Sequence, residues 1–133
     1  MAKSRLPSNW RDRIEIVIDD HEDDEWLDCI TLTMLFKKGK TPKGFFREIG
    51  HLEIESGSNL VDSAELHSRL RRRGLGTMLY EAALEHLGEL STYYHNSSDE
   101  AQALWQSLCR HHRHKIDFFT PKLTIFSRKR RCK

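Results

Sequence analysis

At Gly74-Leu75-Gly76 the spacing of apolar residues changes, and that change limits the fold more than any other feature of the chain. Before it, apolar residues recur every second position. Ile14, Ile16 and Ile18 alternate in "RIEIVID", and "CITLTMLF" (29–36) is rich in β-branched and aromatic residues. "FFREIGHLEIE" (45–55) carries Phe45, Ile49, Leu52 and Ile54, with an irregularity expected at Gly50. "LVDSAELH" (60–67) completes a series of four strands. "KKGKTPKG" and "SGSN" read as turns between them. After the glycines the period is three and four. Leu75, Leu79, Ala82, Ala83, His86, Leu87 and Leu90 predict an amphipathic helix over 75–89. A strand at 90–95 follows, then a second helix opening at "SSDE", where Ser97 and Glu100 have capping-box spacing. Its apolar stripe is Ala101, Leu104, Trp105 and Leu108. Short strands at 117–119 and 122–128 finish the chain. The expected fold is mixed α/β, of the α+β kind: one twisted, mostly antiparallel sheet of six to seven strands with two main helices.

The 133 residues suit one domain over 1–133 with a single core. A net charge of +2 is too small to argue for nucleic acid by itself, but the charge is unevenly spread. Residues 19–28 are acidic, while 69–73 and the tail 128–133 are basic. The tail reads as a solvated terminus, with nucleic acid or an acidic partner as the alternative. Three scattered cysteines make no disulfide framework and fit a reducing compartment. No apolar run reaches the roughly 18 residues of a membrane span, and no apolar-centred leader opens the chain. The expectation is a cytoplasmic protein with no membrane partner.

"LRRRGLGTML" (70–79) lies where the fourth strand gives way to the first helix. A helix start has unpaired N–H groups and the positive end of the macrodipole. Glycines there let an anion approach the backbone, so the segment can cradle phosphate. It is no P-loop, which needs Gly-x-x-x-x-Gly-Lys-Ser/Thr. A dinucleotide fingerprint would need a small residue where Leu79 stands, and a parallel βαβ unit.

What remains is Arg71-Arg72-Arg73-Gly74-Leu75-Gly76, an R-x-x-G-x-G segment between strand and helix. With Leu66 and Leu70 at the apolar positions before it, the segment resembles the central motif of the GNAT superfamily, the Gcn5-related N-acetyltransferases. Ser98, Ala101, Leu104 and Trp105 stand where that family's later helix motif reads N-x-x-A-x-x-L-Y. The resemblance covers about residues 60–110 and extends more loosely over the strand order.

The resemblance implies an acetyl-CoA site. Leu66, His67 and Ser68 would pair with the pantetheine arm as an added strand. Arg71, Arg72, Arg73, Gly74, Leu75, Gly76 and Thr77 would hold the pyrophosphate, with Ser98 from the second helix beside them. The family parts its fourth and fifth strands to admit the cofactor. Acetyl would pass to a primary amine by direct attack, which needs a base. Glu53, Glu55, Asp62 and Glu65 are the strand carboxylates that could serve, with Glu65 and Asp62 nearest the pantetheine strand. The family often protonates the leaving thiolate from a tyrosine on the second helix, where this chain has Trp105. Tyr94, Tyr93, Ser97 or Ser98 could serve instead, or the thiolate leaves unaided, or the chain binds CoA with little turnover. The Cys109-Arg110 pair also departs from the usual Gly-Phe.

"CRHHRHK" (109–115) fits no zinc-ligand spacing, so no metal is expected there and the run reads as an exposed loop. The short acidic segment (Asp19, Asp20, Glu22, Asp23, Asp24, Glu25) would leave the acceptor groove open and draw in a cationic amine. A protein lysine or N-terminus, a polyamine, an aminoglycoside and an aminoacyl-tRNA all fit that charge. The rival readings are a CoA-binding protein acting through a partner, and a small basic nucleic-acid module using 69–73 and the tail.

Overall fold

Alternation along "CITLTMLF" builds the first layer. In the computed structural model, which describes residues 7–20, 29–67, 70, 74–93, 98–117 and 122–127, this segment is strand β2 (Cys29–Phe36). Ile30, Leu32, Met34 and Phe36 are buried on one face. β1 (Ile14–Asp19) and β3 (Glu48–Glu55) flank it antiparallel, and β4 (Val61–Leu66) pairs antiparallel with β3. The register sets Ile30 beside Ile54 and Leu32 beside Leu52, so one face of this four-stranded sheet is a continuous apolar layer.

Helix α1 (Leu75–Leu87) covers that layer with Leu75, Leu79, Ala83 and Leu84, spaced as the helical period requires. β5 (Glu89–Tyr93) follows at once. α2 (Asp99–His111) brings Trp105 and Leu108 into the same core. The helices lock through an edge-on aromatic pair, Tyr80 against Trp105, with ring centroids 5.4 Å apart at 81°. β6 (Arg113–Asp117) and β7 (Lys122–Phe126) complete a second antiparallel sheet in the order β5-β7-β6. A short 3-10 turn, Trp10–Arg13, leads into β1.

The α+β class and the two helices are as expected. The strands, however, form two sheets of four and three rather than one of six to seven. Among the described residues the sheets meet at one parallel bridge, Leu60 to Ser91, where the Ser91 N–H donates to the Asn59 carbonyl at 2.9 Å. The cause lies in β4. Its register against β3 skips Asp62, between the Val61–Ile54 and Ser63–Glu53 pairs. Such a bulge sharpens local twist. It comes two residues after the bridge, and beyond it β4 and β5 share no ladder among the described residues.

Three finer expectations shift. The third strand begins at Glu48, not at residue 45, because Phe45 closes a turn onto the Pro42 carbonyl. α2 is capped by Ser98, whose Oγ accepts from the Ala101 N–H at 3.2 Å. The N-cap thus falls on Ser98, one residue after Ser97, and with Ala101 three residues on it is a simple cap rather than the expected capping box; Ser97 itself lies outside the described residues. The histidine run is not a loop: it ends α2 and begins β6. Each residue of β6 is exposed, so it carries no apolar alternation to reveal it.

Within that run His112 is nearly buried, and its Nε2–H donates to the Glu81 carboxylate of α1 at 2.7 Å. Its Nδ1 is buried without a partner. Burial pushes the Cys109 thiol up from its ordinary value, so it stays neutral. These residues tie α1 to the end of α2. Among the described residues, no group of three or more His, Cys, Asp or Glu could hold a metal ion, and no helix is long and apolar enough to cross a membrane.

Candidate functional site

A cleft of about 1050 Å³ opens where the ends of β3 and β4 meet the first turns of α1 and α2. Ala64 explains its position. It sits opposite fully buried Leu52 and shares its face, yet Ala64 is exposed. The apolar layer is uncovered at this end of β4, because among the described residues no fifth strand pairs with it there.

Close approach of the backbones shapes the β3–β4 wall. β3 bulges at Ile49, between the Glu48–Leu35 and Gly50–Met34 pairs. Gly50 then lies against Leu66, and a Cβ on Gly50 would press into the Glu65 carbonyl oxygen. His67 continues the wall, its N–H donating to the Ile49 carbonyl at 2.7 Å. Glu65, Leu66 and His67 all line the cleft.

The opposite wall is made by the helix starts. Gly74, Gly76 and Thr77 face the cleft from α1, and Ser98 from α2. The two starts differ electrically. α2 has a side-chain cap and two acids, Asp99 and Glu100, in its first turn. Its dipole is therefore answered by its own residues. α1 has a glycine N-cap that offers no side-chain acceptor, and no acid in its first turn. Among the described residues no side chain caps its early N–H groups or answers its dipole, so both can serve a group that enters the cleft. Gly74 has φ 80°, which only glycine adopts without strain. Gly76 is different: among the described residues a Cβ there would meet only Leu104 Cδ2 at 3.7 Å, an ordinary contact. Packing against the described residues does not require glycine at position 76.

Of the expected binding residues, the cleft therefore gathers Leu66, His67, Gly74, Gly76, Thr77 and Ser98. Leu75 is fully buried in the core, so only its backbone faces the helix start. Ser68, Arg71, Arg72 and Arg73 lie outside the described residues, as do Tyr94 and most of the acidic segment. Of the four carboxylates considered as bases, Glu65 reaches the cleft; Glu53, Glu55 and Asp62 do not line it. β5 contributes no lining among the described residues, and Tyr93 stands away on the surface.

Sequence reading missed two groups. His51 lies opposite Glu65 in the ladder and also lines the cleft, its Nδ1 3.9 Å from the Glu48 carboxylate. Tyr80 is buried in the wall and accepts a hydrogen bond from the Trp105 indole N–H. Desolvation pushes its hydroxyl up to about 12, with that bond opposing the shift. It is thus a neutral donor at physiological pH. Glu48, Glu65, Asp99 and Glu100 give the described lining four carboxylates and no lysine or arginine. The cleft can bind an anion at the α1 start, attract a cation elsewhere, and offer a phenol O–H and a carboxylate between them. Comparison with models of known protein families, with curated proteins and with solved structures finds no match to this chain.

Proposed function

We propose that the chain is an acetyl-CoA-dependent N-acetyltransferase of the GNAT kind, acting on a primary amine. The observation that carries this reading is the glycine-started helix α1, with no side-chain cap among the described residues, opening on a cleft at the end of β4, where no fifth strand joins the sheet among the described residues. Phosphates would sit on the α1 amides, with Arg71 to Arg73 adjoining in sequence, and the pantetheine arm would run along the β4 edge. The carboxylate-rich lining supports a cationic acceptor.

Glu65 takes a proton from the acceptor amine, directly or through water. The amine nitrogen then attacks the thioester carbon, the C–N bond forms and the C–S bond breaks. Tyr80 fills the place left by the tryptophan at 105. Its O–H would hydrogen-bond the leaving sulfur, and solvent completes protonation. Tyr80→Phe should lower the transfer rate about 10- to 100-fold while acetyl-CoA still binds, as expected for a lost donor to developing charge. Equal rates in stopped-time transfer assays would remove Tyr80 from the mechanism.

Thermal melting tests the cofactor. Acetyl-CoA at about 100 times its Kd should stabilise the fold by about 2.7 kcal/mol. Gly76→Ala separates fold from function. Ala is the better helix former, so the unliganded variant should gain up to about 1 kcal/mol. The same Cβ intrudes on the phosphates, and the acetyl-CoA shift should vanish. A shift that survives Gly76→Ala sinks the cradle. A shift with no transfer across an amine panel favours a binding protein with little turnover, and steep salt-dependent RNA affinity favours the nucleic-acid reading.

A further inference from the structure

Phe46 is the most exposed large apolar residue among those described, at 71%. It is not on a loose loop. The Phe45 N–H donates to the Pro42 carbonyl at 3.1 Å, and Phe45 packs on the core. On its other side Arg47 and Phe36 exchange two hydrogen bonds: the Phe36 N–H to the Arg47 carbonyl at 2.8 Å, and Arg47 Nε–H to the Phe36 carbonyl at 3.1 Å. Phe45 is held against the core and the Arg47 backbone is tied to Phe36, which leaves the Phe46 ring facing outward. Its ring meets that of His67, centroids 5.4 Å apart at 55°. His67 lines the cleft. The pair is therefore a fixed aromatic step on the cleft rim, at the end of β4 and on the approach to the α1 start.

The geometry points to this step as a stacking platform for the purine base of the nucleotide cofactor, an inference that rests on the acetyl-CoA reading above. Order along the ligand decides the occupant. In a CoA thioester the phosphates lie between base and thioester. The α1 start takes the phosphates, and the arm runs back along β4 toward Ala64. A platform beside His67 is on the phosphate side of the cleft, where the base lies and the acceptor amine does not. Phenylalanine and histidine both offer a face to a base, and such stacking tolerates any base because it reads no edges.

The experiment compares two ligands by calorimetry: acetyl-CoA, and S-acetyl-4′-phosphopantetheine, which keeps the thioester, the arm and one phosphate but lacks the base. Phe46→Ala should weaken acetyl-CoA about tenfold and the truncated thioester less than about twofold. Phe46→Trp should bind acetyl-CoA at least as well as the native chain. Because Phe46 is exposed, the unliganded melting temperature should not move, which controls for folding. Unchanged acetyl-CoA affinity in Phe46→Ala, or equal losses for both ligands, overturns the platform. Equal native affinities for the two ligands also overturn it, while leaving the transferase reading standing. If the native chain binds neither thioester, the acetyl-CoA reading falls and the platform with it.

Discussion

Trp105→Ala is expected to cost about 3–5 kcal/mol of stability, read as a lowered denaturation midpoint at unchanged slope. The indole is 1% exposed and sits among the largest fully buried side chains. It does three things at once. It fills volume between α1 and α2, it meets Tyr80 edge-on, and its N–H satisfies the Tyr80 oxygen. Removing it leaves a cavity that the helices cannot freely close, because the end of α2 is tied to α1 by the His112–Glu81 bond. Trp105→Phe keeps much of the volume but not the donor, so it should lose less stability. It should also loosen the hydroxyl of Tyr80. A cost below about 1 kcal/mol for Trp105→Ala would mean that the residue is not the inter-helix wedge.

Gly50→Ala should be nearly as damaging, for the opposite reason. The added carbon would lie against the Glu65 carbonyl oxygen, 2.9 Å from Leu66 Cδ1 and 3.1 Å from Leu66 Cα. A flexible side chain could step aside, but backbone atoms cannot. The expected cost is about 1–3 kcal/mol or more, as for other overpacked sites. Trimming Leu66 to alanine in the same chain should not rescue it, since the carbonyl remains. Amide hydrogen exchange should show lost protection concentrated in β4, the strand that has to move. Uniform protection would show that the end of β4 does not depend on the small residue beside it.

The sequence foretold much of this arrangement and missed specific parts of it. The change of period at Gly74 placed the sheet before α1 and the second helix after it, because burial on one face writes itself into apolar spacing. An irregularity was expected at Gly50, and the bulge falls on the adjoining Ile49. Register was not legible. His51 could be set opposite Glu65 only by knowing that β3 bulges at Ile49 and β4 at Asp62. β6 was illegible for a different reason: its pairing is entirely main-chain and its side chains all face solvent. Tyr80 was overlooked because it lies one turn before Leu84 and repeats with the core stripe. Spacing marks it as apolar filling and says nothing of where its hydroxyl points.

The end of β4, which no fifth strand joins among the described residues, bears on how such a site endures change. Its hydrogen-bonding groups belong to the main chain, and every residue other than proline supplies the same set. Substitution at Ala64 or Glu65 can alter the shape and charge of the wall, but it leaves that row of donors and acceptors in place. The demand on sequence falls instead at Gly50, where a Cβ would press into the Glu65 carbonyl, and at Gly74, whose φ is 80°. A lineage holding those two positions could replace most of the strand between Val61 and Leu66 and keep the same edge. Likeness in sequence would then fade well before likeness in what the edge can hold.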